Sequence, residues 1–396
     1  MSSELRLQKD HDRRLRAGHC WIYNNEIDIA ATPLGTFEPG QAVDVISQRG
    51  QWLGSGYVNP HSLICARLVS RDRDHPLSRS LLVHRLNVAL ALRERLYPGP
   101  WYRLVHGEAD GLPGLVVDRY GDVLVVQLTT AGMDRLRDDV LAALDKVLHP
   151  GGVLLRNDSP VRAMEGLPAV VETGLGSVPD TLMVEEGGCR FETAASGQKT
   201  GWYFDQAANR DRLLKYAPGR RVLDVCSYVG AWAVRATAAG ASAATCVDVS
   251  AAALEGALAN AGRNGVADRV TAQRGDAFEV LKALRAAGER YDVVVLDPPA
   301  FIKRRRDFAE GALAYRRLNE LGLTLLERDG LLVTSSCSFH MSRDELLKTV
   351  QQAARHCDRS LQLLEEGRQG PDHPVHPAMP ETSYLKTFYL RVLPTF

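Results

Sequence analysis

Beyond about residue 186 the chain alternates between two periodicities. Short stretches rich in apolar and β-branched residues, Val222–Val225, Ala243–Val247, Val270–Gln273, Val293–Leu296 and Leu331–Thr334, read as buried strands. The segments between them, about Ala231–Ala239, Ala251–Asn264, Ala277–Ala287 and Phe308–Leu326, keep helical spacing. A helix at Arg343–His356 and two late strands, Leu361–Glu365 and Tyr384–Val392, close the chain. Strand–helix alternation of this kind predicts an α/β, Rossmann-like parallel sheet of seven strands with helices on its faces.

The first part of the chain follows another pattern. Residues 1–75 show short strand-like runs, Ala42–Ile46, Trp52–Val58 and Leu63–Val69, punctuated by Pro39-Gly40, Arg49-Gly50 and Asn59-Pro60. That spacing predicts a small β-barrel. Residues 76–185 mix a helical stretch at Leu81–Leu96, stopped by Pro98-Gly-Pro100, with strand-like runs at Tyr102–His106, Gly114–Asp118 and Asp122–Gln127. A helix at Met133–Val147 follows, and Gly152–Arg156 and Leu182–Glu185 are expected to complete a small α+β central domain. The expected division is therefore 1–75, 76–185 and 186–396.

Composition narrows the class. With 396 residues the chain is too long for one ordinary core, and 45% hydrophobic with 24% charged residues suits a water-soluble globular protein. No apolar run is long enough to span a bilayer, and the first ten residues lack the apolar core of a signal peptide, so a cytoplasmic location and no membrane partner are expected. The seven cysteines, at 20, 65, 189, 226, 246, 337 and 357, form no C-x-x-C pair, which argues against a disulfide framework and against a thiolate metal site. Net charge is zero, so nucleic-acid contact must come from local basic patches. Arg13 and Arg14 near the start, Lys199 and the run Lys303-Arg-Arg-Arg306 are the candidates. Solvated charge on a helix or loop explains the same residues equally well.

The chemistry gathers where strands end. Val222-Leu-Asp-Val-Cys-Ser-Tyr-Val-Gly230 is a strand running into a loop and a helix, with one glycine in the loop. It fails the G-x-G-x-x-G pattern that a pyrophosphate needs, and suits a smaller, less charged ligand. Asp248 and Asp276 end the next two strands, placed to accept from ribose hydroxyls and from an adenine amino group, and Asp297 ends a fourth. Each acid by itself reads as a helix N-cap. Together, Asp224, Ser227, Tyr228, Gly230, Asp248, Asp276 and Asp297 describe a site for S-adenosylmethionine.

Asp297-Pro-Pro-Ala-Phe301 leaves a buried strand at the carboxyl edge of the sheet, and Ser335-Ser-Cys-Ser338 leaves another. If the two strands are neighbours, Asp297 and Cys337 face one pocket. A pyrimidine carbon is a poor nucleophile toward a methyl sulfonium. Adding a thiolate to C6 turns C5 into an enamine-like carbon that can take a methyl. A carboxylic acid near N3 of cytosine eases that addition. This assigns Cys337 as nucleophile and Asp297 as acid, with the base that removes the C5 proton left unassigned.

These residues carry a resemblance. The chain resembles, nearly end to end, the 23S ribosomal RNA 5-methylcytosine methyltransferases of the large-subunit methyltransferase I type. Gly18-His-Cys-Trp-Ile-Tyr23 and Pro39-Gly-Gln-Ala-Val-Asp-Val45 are similar to a PUA domain, an RNA-binding module. Gly107–Asp118 resembles the family's central domain, and Gly197–Gln206 the segment before the cofactor loop. Asp297–Phe301 and Ser336-Cys-Ser338 match its two active-site motifs, and Asp372-His-Pro374 and Tyr384-Leu-Lys386 its C-terminal pattern. Where the family continues Asp-Pro-Pro with lysine, Ala300 stands here, with Lys303 as the expected substitute. The resemblance implies a class I methyltransferase sheet preceded by a PUA domain, S-adenosylmethionine as cofactor, 23S rRNA as partner, and a monomer or homodimer without metal. Two other readings stay open on the residues alone: an RNA methyltransferase acting on a purine nitrogen, and a non-catalytic RNA-binding ribosome-assembly factor.

Overall fold

The computed structural model describes residues 3–395. They form two compact units. The first comprises the chain through Leu182 with Ala194–Phe204 and Pro371–Thr382; the second comprises Met183–Thr193, Asp205–Gly370 and the chain from Ser383. The units do not follow chain order, because two segments from beyond residue 185 pack with the first.

In the first unit, β1 (Ser3–Arg6), the short α1 (Arg13–Arg16), β2 (Trp21–Ile22), β3 (Gln41–Ile46), β4 (Trp52–Val58) and β5 (Ala66–Ser70) build a sheet of order β1-β3-β4-β5-β2. A bridge between Leu7 and Ile27 and the bonds Gln8 N–Glu26 O and Asp28 N–Arg6 O bring the chain after β2 back to β1. The sheet thus curls on itself around Leu5, Ile22, Val43, Val45 and Val58. The second sheet follows α2 (Arg79–Leu96), which starts at the Ser78 cap. It contains β6 (Trp101–His106), β7 (Leu115–Tyr120), β8 (Val123–Leu128), then, after α3 (Ala131–Arg135) and α4 (Arg137–Leu148), β9 (Gly152–Asn157), and, after α5 (Val161–Met164), β10 (Val170–Gly176). The two parts share buried contacts. Glu165 accepts from Asn59 Nδ2, Ser62 Oγ and Arg67 Nη1 at 2.9, 3.1 and 3.0 Å, and Tyr57 donates to Pro113 O at 2.8 Å.

Two expectations fail here. The continuous helix at Met133–Val147 is two helices, α3 and α4, because Leu136 leaves helical geometry between them. Leu182–Glu185 does not complete the central sheet. It lies in β11 (Thr181–Glu186), which pairs with β12 (Cys189–Ala194) in a separate sheet, and β10 takes the edge of the central sheet instead. The sequence of β10, Val-Val-Glu-Thr-Gly-Leu-Gly, hides it: an edge strand exposes much of its length and shows little alternation.

The second unit is the doubly wound part. After α6 (Ala207–Leu213) it runs β13 (Arg221–Val225), α7 (Ala231–Ala238), β14 (Ala243–Asp248), α8 (Ala251–Arg263), β15 (Val270–Arg274), α9 (Ala277–Ala286), β16 (Tyr291–Leu296), α10 (Phe308–Leu325), β17 (Leu326–Ser336), α11 (Arg343–His356), β18 (Arg359–Gly367) and β19 (Lys386–Pro394). The sheet order is β15-β14-β13-β16-β17-β19-β18, parallel except for β19. β13 is central: Val225 lies opposite Val247 of β14 on one side and Leu296 of β16 on the other. Chain order reverses between β13 and β16, so their following loops diverge and open a crevice at the carboxyl edge. Leu296 lies opposite Thr334, which makes β16 and β17 parallel neighbours. Their apolar side chains pack against Tyr315, Leu318 and Leu323 of α10 and Leu346 and Val350 of α11.

Candidate active site

The loop after β13 turns sharply with few glycines. Cys226, Tyr228 and Gly230 have φ of 65°, 50° and 81°, all left-handed, two of them in residues with side chains that resist it. At Gly230 an added Cβ would sit 2.8 Å from that of Ala257, so the loop also needs the missing side chain. Hydrogen bonds hold the strained form. Cys226 N and Ser227 N both donate to Val247 O, and Tyr228 N donates to Asp248 Oδ2 at 2.9 Å.

The four acids differ in what they do. Asp248, nearly buried at the end of β14, accepts from Tyr228 N through one oxygen and Ser250 N through the other. A carboxylate has about four acceptor sites, so both oxygens keep capacity for a ligand. Asp276 caps α9, accepting from Phe278 N and Glu279 N through Oδ1. Asp224 lies in β13 and is fully buried. Its Oδ2 accepts from Ala233 N in the first turn of α7 at 3.1 Å, and its Oδ1 has no partner among the described residues. Burial, outweighing that bond, raises its carboxyl to about 8. The thiol of Cys226 is pushed upward by burial and by Asp248, Asp297, Asp224 and Asp276. The acids predicted from separate strand ends therefore converge on one loop.

Asp297 follows β16 and is partly exposed. Gln206 Nε2 donates to its Oδ1 at 2.9 Å and Trp232 Nε1 to its Oδ2 at 3.1 Å. Burial raises its carboxyl, and Asp205 adds to the rise, against Trp232, Arg210 and Gln206. The network continues inward. Asn209 Nδ2 donates to Gln206 Oε1 at 2.6 Å and to Thr387 Oγ1 at 3.2 Å, and Thr387 shares a hydrogen bond of 2.9 Å with Ser335 Oγ. A buried polar chain thus joins Asp297 to the residue two before Cys337. Such a chain fixes the relative position of the two strand ends.

Cys337 sits between two tethered serines. Ser336 Oγ donates to Tyr315 OH at 2.9 Å, and Tyr315 OH and Ser338 Oγ are 3.0 Å apart. Ser338 Oγ also accepts from Ile302 N at 3.2 Å, which ties this loop to the one that starts at Asp297. Lys386 of β19 donates from Nζ to Ser338 O at 2.7 Å. The serines of the Ser-Cys-Ser motif therefore hold the backbone on both sides of a partly exposed thiol that forms no disulfide. Trp232, Asn209, Tyr315 and Thr387 carry no local signal that marks them as part of a site, whereas Lys386 ends the Tyr384-Leu-Lys386 stretch singled out in the sequence. Gln206 lies within Gly197–Gln206, the segment singled out in the sequence.

The basic candidates are scattered. Arg14 is half-buried, donating to Glu26 and Trp21 O and lying over the Tyr23 ring. Arg13 is exposed. Lys199, left-handed at φ 52°, lies over the Tyr203 ring at 4.8 Å. Lys303 and Arg304 are exposed just before the short turn that opens α10. Among the described residues, no group of three or more His, Cys, Asp or Glu could hold a metal ion, and no helix is long and apolar enough to cross a membrane.

The donor set fits S-adenosylmethionine. Asp248 offers acceptors for a diol, and the carboxylates around Cys226 suit a sulfonium cation. The loop shaped by left-handed residues opens at the same edge. Comparison with known proteins agrees. Residues 5–71 match a model for a PUA-like domain, and residues 168–390 match the S-adenosylmethionine-dependent methyltransferase model. A ribosomal RNA large subunit methyltransferase I from Erwinia tasmaniensis is 36% identical over 99% of this chain and 100% of its own. The protein of that name from Tolumonas auensis is 37% identical over the same shares. Among solved structures, a methyltransferase complexed with SAH superposes with a TM-score of 0.84 at 21% identity, covering 98% of this chain and all of the other. A SAM-dependent methyltransferase from Streptococcus mutans gives 0.82 at 21% identity over the same shares. With sequence, site and fold in agreement, the chain belongs to the ribosomal RNA large subunit methyltransferase I family, and its cofactor is S-adenosylmethionine.

Proposed function

We propose that this protein methylates C5 of a cytosine in 23S ribosomal RNA through a covalent bond between Cys337 and C6. The observation that carries the reading is the register of β16 and β17, which sets the loops of Asp297 and Cys337 side by side at the carboxyl edge of one sheet. A methyltransferase that attacks through a ring or exocyclic nitrogen needs no thiol there.

The cofactor supplies a methyl group on a sulfonium, an electrophile that an unactivated pyrimidine carbon does not attack. Cys337, as thiolate, adds to C6 and places electron density on C5. Asp297, its carboxyl raised by burial, gives a proton to N3 as the thiolate adds. Trp232 and Gln206 keep that carboxyl aimed. After transfer a base takes the C5 proton, that C–H pair restores the C5–C6 double bond, and the C6–sulfur bond breaks with its electron pair returning to sulfur; N3 gives its proton back to Asp297. Asp224, Ser227, Tyr228, Gly230, Asp248 and Asp276 are the proposed cofactor residues. Arg13, Lys199, Lys303 and Arg304 are proposed to meet RNA phosphates, with Lys303 standing in for the lysine absent at Ala300. Arg14 keeps a place in that set through the barrel structure it braces. The relatives' printed name supports ribosomal RNA as the substrate. Action on ribosomal RNA in turn suits a cytoplasmic protein, as a monomer or homodimer.

Incubation with cofactor and 23S rRNA transcripts containing 5-fluorocytosine tests the reading, because fluorine at C5 blocks the final elimination. The wild type should form a stable protein–RNA adduct, and Cys337→Ala should form none and lose methylation while still binding S-adenosylmethionine in calorimetry. Methylation retained by Cys337→Ala, with the methyl on a purine nitrogen, would point to the other chemistry. Absence of cofactor binding by the wild type would revive a purely RNA-binding role.

A further inference from the structure

We propose that Lys386 is the counter-ion of the Cys337 thiolate, a positioning residue that keeps the sulfur anionic before attack and receives it as an anion on release. The proposal rests on Cys337 being the nucleophile.

The geometry comes from the end of one ladder. β19 runs antiparallel to β17, and their last pair is Ser336 with Lys386. From opposite Ser336, the lysine side chain reaches forward to donate to Ser338 O at 2.7 Å. It therefore spans the stretch of backbone that carries Cys337. Ser338 O takes one of the three donors of an ammonium. Glu345 in the first turn of α11 acts on this lysine, and Cys337 acts on Tyr315 of α10. Glu345 is already engaged with Ser342 N in a capping box, and Tyr315 with the two serines.

Energetics favour a charged partner. The lysine is largely enclosed, and burial lowers its ammonium to about 8, against upward pulls from Cys337 and then Glu345. Burying an ammonium against a single neutral carbonyl is costly, and a thiolate beside it offsets that cost. The other thiol near the site, Cys226, has a different setting: burial, and then the acids around it, disfavour its anion. Only Cys337 therefore has a cation at hand.

In the step itself, the S–H proton of Cys337 leaves to solvent and the Lys386 ammonium stays intact. The sulfur pair then forms the bond to C6. When that bond breaks, the pair returns to a sulfur facing the same cation.

The test uses the full chain without RNA or cofactor. Carboxamidomethylation by iodoacetamide is followed from pH 6 to 10 by mass spectrometry of the peptides bearing Cys337 and Cys226. Lys386→Met should slow Cys337 alkylation at pH 7 about tenfold and move its pH midpoint upward, with Lys386→Arg close to wild type. The Cys226 profile should not move in either variant, which also reports that the site has kept its fold. If Lys386→Met fails that control, Lys386→Gln carries the same measurement. An unchanged Cys337 profile in the neutral variant, while the wild type still traps 5-fluorocytosine RNA, would overturn the counter-ion role alone. A wild type that forms no such adduct would overturn the nucleophile reading beneath it.

Discussion

Asp224→Asn should stabilise the cofactor-free protein, and more so as the pH rises. Asp224 is fully buried in β13, with one oxygen on Ala233 N and the other without a partner among the described residues. Its folded carboxyl titrates at about 8, against an ordinary value of 3.8. Between those values the folded chain holds a proton that the unfolded chain has released, so folding takes up a proton and stability falls as pH rises. From pH 6 to 8 this one group costs about 2 kcal/mol. Asparagine keeps an oxygen for Ala233 N and does not ionise, so it removes that slope. For a domain the size of the second unit, about 2 kcal/mol corresponds to roughly 4–8 °C in melting temperature. Thermal melts of both proteins at pH 6 and 8 measure it, because the difference between them cancels the other titrating groups. The gap should widen in favour of the variant at pH 8. A gap that stays constant or narrows would refute the reasoning that Asp224 is held neutral by burial. The wild type would then be carrying a stability cost at its cofactor edge, a common trade at functional sites.

Two further substitutions test the frame around the site. Glu165→Ala leaves the buried Arg67 guanidinium without its carboxylate and should destabilise the first unit by about 3–5 kcal/mol, read as an earlier urea transition in tryptophan fluorescence. A shift below about 1 kcal/mol would mean that water solvates Arg67. Tyr315→Phe removes the hydroxyl shared by Ser336 and Ser338 and should lower kcat about 10- to 100-fold, with S-adenosylmethionine affinity in calorimetry unchanged. An unaltered kcat would show that the serines hold Cys337 in place without it.

How much of this was legible depended on where each residue lies. From β13 onward the strands and helices fall within five residues of their predicted bounds, because buried parallel strands write a continuous apolar signal; β12 and α6 before them had no predicted bounds. Asp248, Asp297 and Cys337 follow directly on such strands, so strand ends pointed to them. Trp232, Asn209 and Tyr315 sit inside helices, and Thr387 inside a strand, where nothing local separates a site residue from a packing one; Lys386 stands in the sequence only as part of a C-terminal pattern, with no role attached. Asp276 shows the reverse: its local signal marks both a cap and a ligand, and the cap is present.

The amino-acid sequence by itself determined the order of strands and helices from β13 onward, the loop at each strand end and the residue types offered there, because periodicity and turn chemistry act over a few neighbouring residues. Tertiary structure alone decided which ends meet. The pairing of β16 with β17 sets the loops of Asp297 and Cys337 together, and the return of β19 against β17 brings Lys386 beside Cys337. Burial, a property of the assembled sheet, then raised Asp224 and Cys226 and lowered Lys386. Pairing and desolvation join residues far apart in the chain, and no local pattern records them.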